Sequence, residues 1–524
     1  MANEGGQAQA RVRSALSARW RILAIVLGLL IVLIVIVNIA AKLWLAPIAQ
    51  RKMIEAVASR FQSELEVERV SVSLLPSVHL SAENLVFHHH GRRDVPPLIK
   101  VRRVSGNAGL FGLLTGPTID TVNLEGLEIR ITKSNPAKDG AAKAPEQSQS
   151  GNAARVKQVV ADGALLQIMP KEPGKDPLTF NIYKLTLNDA GPDRAMAYRA
   201  QLKNARPPGL IDATGDFGPW KADDPGETPL TGDYNFKDAD LSVFKGIQGK
   251  LSSTGQFRGT LERIEAQGTT DTPDFALKAA GHPVHLKTEY KATIDGTSGD
   301  TYLHPVNAQF RNSNVEASGS IAQVPGTHGK TVSLDASVER GRVEDMLFLA
   351  VKSDPPILNG AISFKTKIVI PPGDVDVVQK LKLDGSFQIA SGRFTKGTVQ
   401  KQVDSLSARA QGEPERADNP PGVASAFRGG FHLDHGTIHF SRLSFNMPGA
   451  AIDLNGSYGL QSEALDFSGT AKLEARISET MTGVKSFFLK ALDPFFAKKN
   501  AGAVVPIKIS GTRTDPKFGL RLGK

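Results

Sequence analysis

The sequence predicts a mostly β protein: an elongated, folded-over antiparallel β-sheet that forms an apolar trough, with one N-terminal transmembrane helix and few short helices. One apolar run near the N-terminus has the length of a membrane span. Beyond it, apolar and polar residues alternate with the period of a strand, and a glycine recurs inside these alternating segments. A chain of 524 residues accommodates either several average domains or one elongated repetitive body.

Composition and charge exclude several classes of protein. The chain has no cysteine, which rules out disulfide scaffolds, cysteine-ligated metals and thiol nucleophiles. The net charge of +10 lies at the ends: residues 1–21 hold four basic residues and one acidic residue, and residues 485–524 hold nine and two. The residues between are balanced, so no nucleic-acid partner is expected, whereas basic ends suit anionic lipid headgroups.

The apolar run covers residues 22–41, in which only Asn38 is strongly polar. As a helix it would rise about 30 Å, the thickness of a bilayer's hydrocarbon core. A cleaved signal peptide is the alternative, but its apolar region is shorter and a small-residue cleavage site follows it. Here the run is followed by Lys42 and Trp44, which favours an uncleaved anchor.

Orientation follows from the charges that flank the run. The basic tail 1–21 precedes it, and Lys42 is the only charge close behind. By the positive-inside rule we expect the tail in the cytoplasm and the rest of the chain exported. No second apolar run of comparable length brings the chain back.

After the anchor, the residues up to 133 change from a helical period to a strand period. An apolar stripe at helical spacing predicts a helix over 47–65. Strands follow, beginning with Val70, Val72 and Leu74 in alternation with serines. Further on, the alternation slips by one residue across Glu125 and Gly126, which predicts a β-bulge.

Two stretches at the front and two at the back carry a resemblance. At the front they are VERVSVSLLPSVHLSAENLVF (67–87), which has a Leu75-Pro76 turn, and IKVRRVSGNAGLFGLLTGPTIDTVNLEGLEIRI (99–131), which has a short segment at 110–116 before a long strand. At the back they are residues 429–473 and VVPIKISGTRTDPKF (504–518). In this order, behind an anchor, the chain resembles the AsmA-like proteins of the bacterial envelope.

The resemblance implies a place and a role. AsmA-like proteins are anchored in the inner membrane, carry a β-rich periplasmic body and are related to bridge-like lipid carriers. It therefore implies a role in outer-membrane biogenesis and phospholipid trafficking. The partners implied are phospholipid or another membrane lipid, the inner membrane, and outer-membrane or other envelope proteins.

The rest of the chain is divided by composition. Residues 134–155 have no apolar periodicity and read as a polar linker or insertion loop. Residues 42–133 form an AsmA-like N-terminal region, 156–428 a repetitive β-trough, and 429–524 an AsmA-like C-terminal region with a helix over 478–499. That helix has two open readings, an interfacial helix or one packed over the end of the β body. Its candidate interfacial residues are Phe487, Phe488, Phe495 and Phe496.

The recurring glycines share the parity of the apolar residues, so each lies on the apolar face of its strand. Because glycine weakens a strand, we expect each to mark a bend where the sheet folds into a trough. The alternative is an ordinary β-sandwich with incidental glycines. The predicted crease glycines are Gly232, Gly360, Gly385, Gly456, Gly469 and Gly511. The predicted lipid-contacting residues of the trough are Leu358, Ile362, Phe364, Leu381, Leu383, Phe387, Ile389, Ile452, Leu454, Tyr458, Leu465 and Phe467.

Catalytic motifs are weak. G-x-S-x-G is missing, the segment 324–331 lacks the first glycine of a P-loop, and Ser242 with Lys245 matches S-x-x-K without its companion motifs. Three consecutive histidines, 88–90, point to alternate faces of a strand and read as a solvated loop rather than a metal site. We therefore expect no enzyme, no catalytic residue, no metal and no cofactor. A lipid carrier is expected, with a periplasmic assembly scaffold that carries no lipid as the alternative and an exported hydrolase as a third.

The orientation is testable. A reporter that is active only outside the cytoplasm, fused after Lys524, should be active, and the mature chain should retain residues 1–41, because the basic tail holds the N-terminus inside. Recovery of a soluble chain that begins near Lys42 would contradict the anchor.

Overall fold

The computed structural model describes residues 27, 30–61, 63–74, 78–89, 91–108, 118–132, 155–170, 172–191, 193–420, 422–474 and 504–520. The predicted fold class is confirmed, because strands make up 62% of the structure and helices 15%, and the strands form a large, strongly curled sheet. The predictions for the basic tail, the Leu75-Pro76 turn, segment 110–116, most of the linker and helix 478–499 lie outside the described residues.

The strands are numbered in chain order. They are β1 Ser63–Ser73, β2 Val78–His89, β3 Ile99–Ala108, β4 Thr118–Ile131, β5 Arg155–Ile168, β6 Leu178–Ala190, β7 Met196–Ala205, β8 Pro208–Phe217, β9 Pro229–Asp240, β10 Ile247–Gln248, β11 Lys250–Thr260, β12 Arg263–Leu277, β13 Val284–Asp295, β14 Thr301–Phe310, β15 Ser313–Ala322, β16 Thr331–Arg342, β17 Leu358–Ile370, β18 Lys382–Phe394, β19 Ser425–Asp434, β20 Thr437–Met447, β21 Ala450–Gly459, β22 Ala464–Leu473, β23 Val504–Thr512 and β24 Pro516–Leu520. The helices are α1 Ala46–Phe61, α2 Val343–Ala350, α3 Val377–Lys380 and α4 Gly397–Ala410.

The chain forms two compact units. The first consists of Met1–Met169, Thr179–Leu202 and Ala213–Thr231, and the second of Pro170–Leu178, Lys203–Asp212 and Gly232–Lys524.

The first unit begins with an apolar helix. Among the described residues, Leu30–Arg51 is the one helix long and apolar enough to cross a membrane, with 22 residues and a mean hydropathy of 2.3. It passes through a π-helical turn, Ala41–Leu45, into α1, which packs along β1. The helix predicted over 47–65 is therefore present as α1, four residues shorter at its C-terminal end.

The sheet of the first unit has β1 to β4 in antiparallel order and β5 parallel to β4. Its core contains Leu65, Leu85, Val101 and Leu127 on one face. The predicted bulge at Gly126 is corrected: Arg103 opposes Glu125 and Val101 opposes Leu127, so no extra residue is inserted. Gly126 instead has a positive φ of 63°, and this left-handed residue changes the phase of the alternation while the register is kept.

The second unit is an antiparallel meander. From β11 to β24, each strand pairs with the next along the chain. Helix α2 packs on Leu358, Ile362 and Ile389, and α4 packs on the ends of β20 to β22. Two helices therefore cover apolar residues of this sheet at one end of the strands.

A buried carboxylate fixes the turns at the opposite end of β14. Asp300 has 0% of its side chain exposed and accepts hydrogen bonds from Lys175 Nζ at 2.7 Å and from the Gln323 backbone N–H at 2.9 Å; Lys330 Nζ lies 3.3 Å away. Burial alone would raise the pKa of Asp300, but the Lys175 hydrogen bond and the Lys330 charge outweigh burial and lower that pKa below its usual range. The carboxylate thus ties the loop Pro170–Leu178 to the connections β13–β14 and β15–β16.

Replacement of this carboxylate should destabilise the second unit. Asp300→Asn removes the buried counter-charge of the Lys175 ammonium, which is 6% exposed, and leaves it only the exposed Glu172 carboxylate at 3.1 Å. We therefore expect a loss of about 3 kcal/mol in the free energy of unfolding. Because the folded-state pKa is lowered, the stability that Asp300 contributes is present above the unfolded pKa of about 3.9 and is lost as the pH falls below it. Denaturant titration measures both effects. The double variant Asp300→Asn with Lys175→Met should be less destabilised than the single one, and equal losses would contradict this account.

Candidate functional site: an apolar face of the sheet

One face of the strands β17 to β22 is apolar and incompletely covered. In β18, Leu383 and Phe387 are half-buried, whereas Asp384, Ser386 and Gln388 on the opposite face are exposed. Strict alternation places the two sets on opposite sides of the sheet. The first set therefore forms an apolar wall that is neither closed core nor open surface.

The predicted trough residues divide into two groups by exposure. The buried ones are Leu358, Ile362, Ile389, Ile452 and Phe467. The half-buried ones are Phe364, Leu381, Leu383, Phe387, Leu454, Tyr458 and Leu465. The strand register brings several into pairs, namely Ile362 with Ile389, Phe364 with Phe387, and Tyr458 with Leu465. Leu381 differs from the rest, because it ends helix α3 instead of lying in a strand.

Phenylalanine rings run across this face from strand to strand. The Phe387 ring centroid lies 6.2 Å from that of Phe431 and 6.3 Å from that of Phe440, and Phe440 lies 5.8 Å from Phe467. Sequence reasoning missed Phe431 and Phe440, because a glycine repeat does not reveal which strands become neighbours. We call these four rings the central phenylalanine row.

A second group of rings lies toward the end of the strands that the helices cover. Phe427 and Phe445 stack at 4.6 Å, and Phe394 meets both edge-on at 6.1 and 6.3 Å. Phe394 and Phe427 pack against the core beneath α2, and Phe445 against the core beneath α4. Protein side chains therefore fill the apolar face here, and Phe387 of the central phenylalanine row also packs against the core beneath α2.

Three of the predicted glycines lie where adjacent backbones approach too closely for any side chain. A Cβ added to Gly385 would lie 2.3 Å from the Lys365 carbonyl oxygen; at Gly469 the corresponding distance to the Asp453 oxygen is 1.9 Å, and at Gly456 it is 2.1 Å to the Asp466 oxygen. Contacts this short require the backbone to shift, so these strands owe their close approach to glycine.

The remaining predicted glycines have other surroundings. Gly511 has a φ of 93° and lies at the β23–β24 turn, where a Cβ would meet the Asp515 oxygen at 2.4 Å. Gly360 is less tight, at 3.1 Å from the Ala390 oxygen. Gly232 is half-buried in β9.

At several further glycines, an aromatic ring of the neighbouring strand packs where a side chain would otherwise lie. The position that a Cβ would take is 3.1 Å from the Phe387 ring at Gly429 and 2.9 Å from the Phe427 ring at Gly392. Each ring thus occupies the space of the missing side chain on the neighbouring strand. The wall keeps its large rings close to the backbone.

Hydroxyl groups interrupt the apolar character on β9 and β11 to β13. Tyr234 Oη bonds with Ser253 Oγ at 2.9 Å and with Tyr290 Oη. The Tyr234 oxygen also lies over the paired Gly255 and Gly268, 2.8 and 2.7 Å from their would-be Cβ atoms. Burial raises the pKa of Tyr234, so this hydroxyl is neutral at physiological pH.

Residues of the weak catalytic motifs make structural hydrogen bonds. The Ser242 backbone N–H is capped by Asp240 at 2.9 Å, within a short 3₁₀ turn. Thr327 Oγ1 donates to the Val324 carbonyl at 2.7 Å, inside the turn that had suggested a P-loop. His88 Nε2 lies 3.8 Å from Glu66, and the described part of the chain holds no group of three or more His, Asp or Glu residues placed to bind a metal.

Comparison of the chain with protein-family models, curated proteins and solved structures gave no match. The resemblance to AsmA-like proteins therefore stays a prediction from the quoted residues.

The glycine contacts give a direct prediction for stability. Gly469→Ala should lower the free energy of unfolding by about 1–3 kcal/mol, because the new methyl group forces the Asp453 carbonyl away. Gly519→Ala is the matched control: Gly519 also lies in a C-terminal strand, and nothing lies within 4 Å of its would-be Cβ. The control should change stability by less than about 1 kcal/mol. Equal effects in denaturant titration would show that close backbone approach does not fix Gly469.

Proposed function

We propose that this chain is a non-enzymatic lipid-handling protein of the bacterial envelope that binds or conducts phospholipid along an apolar β-trough. The large, curled sheet is compatible with a trough-like lipid-binding fold. The observation that carries the proposal is the central phenylalanine row, whose rings line one face of the sheet while Phe387, Phe431 and Phe440 stay only half-buried. Residual apolar exposure of this kind suits acyl chains.

The proposal places the chain in the inner membrane as a single-pass protein, with its N-terminus cytoplasmic and its body in the periplasm. The helix Leu30–Arg51 supports membrane anchorage by its length and composition. Residues 1–21 support the orientation through their arginines. The expected role is transfer of lipid for outer-membrane biogenesis, together with envelope partners.

A second candidate is a periplasmic scaffold that acts on outer-membrane protein insertion without carrying lipid. The rings of Phe394, Phe427 and Phe445 favour it, because they and the two helices fill part of the face with protein. The two functions differ in what occupies the central phenylalanine row. Native mass spectrometry of detergent-extracted protein separates them, since co-purified phospholipid supports the carrier and a lipid-free body supports the scaffold.

A carboxylate placed in the central row should remove lipid and leave the fold intact. In Phe387→Glu the charge opposes acyl-chain contact, so we expect at least a twofold fall in co-purified phospholipid. Gln388→Glu is the matched control, because this neighbouring side chain is exposed on the opposite face and should leave bound lipid unchanged. Both are measured by mass spectrometry beside circular dichroism. Unfolding of Phe387→Glu, or equal lipid content in the two variants, would contradict an open lipid-bearing wall.

A further inference from the structure

Asn38, the strongly polar residue of the apolar run, is bonded to the β-sheet of the first unit. Its side-chain oxygen accepts a hydrogen bond from Ser73 Oγ at 2.7 Å and another from the Leu74 backbone N–H at 3.0 Å. Its side-chain nitrogen donates to the Ile34 carbonyl one helical turn earlier, at 2.9 Å. The amide group therefore clasps the end of β1 against the apolar helix.

This clasp determines the depth of the sheet relative to the helix. A polar side chain within a membrane helix is costly unless it finds partners, and the end of β1 supplies them. Lys42, the first charge after the apolar run, lies four residues beyond Asn38, or about 6 Å along the helix axis. Trp44 is 78% exposed just beyond it, as is typical of an aromatic residue at a bilayer interface. The end of β1 thus lies about one helical turn below the level of Lys42.

On the polar face of β1 to β3, the rows of side chains nearest Asn38 are uncharged and the row farther along the strands is charged. The register aligns three rows of side chains across these strands. The tip row consists of Ser73, His79 and Asn107; the serine row of Ser71, Ser81 and Ser105; and the charged row of Arg69, Glu83 and Arg103. Successive rows are about 7 Å apart. The serine row therefore lies near the level of Lys42, and charges begin only above it.

Side chains within the tip row and within the charged row pair with one another. His79 Nδ1 and Asn107 Oδ1 lie 2.6 Å apart in the tip row. In the charged row, Glu83 bridges Arg69 at 3.5 Å and Arg103 at 3.4 Å. On the opposite face the same strand ends carry Val72, Leu80 and Gly106. Neither face of β1 to β3 therefore presents a charged side chain in its last two rows at this end.

The pattern is confined to the strands nearest the helix. On β4 and β5, Asp120 pairs with Lys157 at 2.7 Å, and both side chains are exposed. An exposed ion pair is stable in water rather than in a bilayer. The uncharged end of the sheet is therefore limited to β1, β2 and β3.

From this geometry we propose that the tip row of β1 to β3 is seated in the headgroup layer of the lipid bilayer, held there by the Asn38 clasp. The proposal rests on the proposed membrane anchorage but not on lipid carriage. The occupant of this edge is the bilayer that holds Leu30–Arg51, because the uncharged sheet edge is bonded directly to that helix. A sheet that begins within the headgroup layer brings the half-buried Val72 and Leu80 at its end to the bilayer surface.

The absence of native cysteine makes a depth measurement direct. Asn107→Cys and Arg103→Cys place single thiols on the same face of β3, two rows apart and both exposed. Each is labelled with an environment-sensitive fluorophore in the full chain, reconstituted into phosphatidylethanolamine–phosphatidylglycerol vesicles. We expect a headgroup-region spin-labelled lipid to quench the label at 107 at least twofold more than the label at 103, and aqueous iodide to show the opposite order.

A third variant tests the clasp itself. Asn38→Leu removes the acceptor of Ser73 and Leu74 and leaves the helix more apolar, so anchorage is kept. In this background, lipid quenching at 107 should fall at least twofold. Equal quenching at 107 and 103 in the chain that retains Asn38, or no effect of Asn38→Leu, would overturn the proposal. Co-purified phospholipid in the same preparations reports separately on the proposed lipid carriage.

Discussion

Close approach of neighbouring backbones at strand glycines is the constraint on which the packing of these strands depends. At Gly385, Gly456 and Gly469 the carbonyl oxygen of the adjacent strand occupies the place of a Cβ atom. Any other residue would push these strands apart locally, because a methyl group cannot share that volume with an oxygen. Glycine thus permits the close approach of these strands, and phenylalanine supplies much of the apolar surface.

Much of this architecture could be predicted from the sequence, because strand period and glycine parity are local properties. The parity of Gly385 with Leu383 and Phe387 is enough to place all three on one face. The partners of Phe387 could not be predicted in this way, since they depend on which strands pair and in what register. The phase slip at Gly126 was misread for a related reason: an extra residue and a left-handed residue shift the alternation identically, and only the register separates them.

The buried charged groups could not be predicted from the sequence either. Lys175 and Asp300 are far apart in the chain, and Asp345 accepts hydrogen bonds from Arg311 and Ser313 of another turn. Each carboxylate is fully buried and joins segments that no local pattern connects. Their common effect is to fix turns and the start of helix α2, so that the strand ends stay in place.

For the proposed lipid carrier, the energetics of an apolar wall would favour exchange over tight binding. Burying an acyl chain gains about 0.8 kcal/mol per methylene relative to water, but a lipid in a bilayer already has this gain. Transfer from a bilayer onto the wall is therefore close to neutral in its hydrophobic term. A carrier of the proposed kind would then take its selectivity from polar groups, and the Tyr234, Ser253 and Tyr290 hydroxyls on β9, β11 and β13 are candidates. Under the proposed function, near-neutral transfer would set no direction, so lipid would move according to supply at the two ends of the sheet.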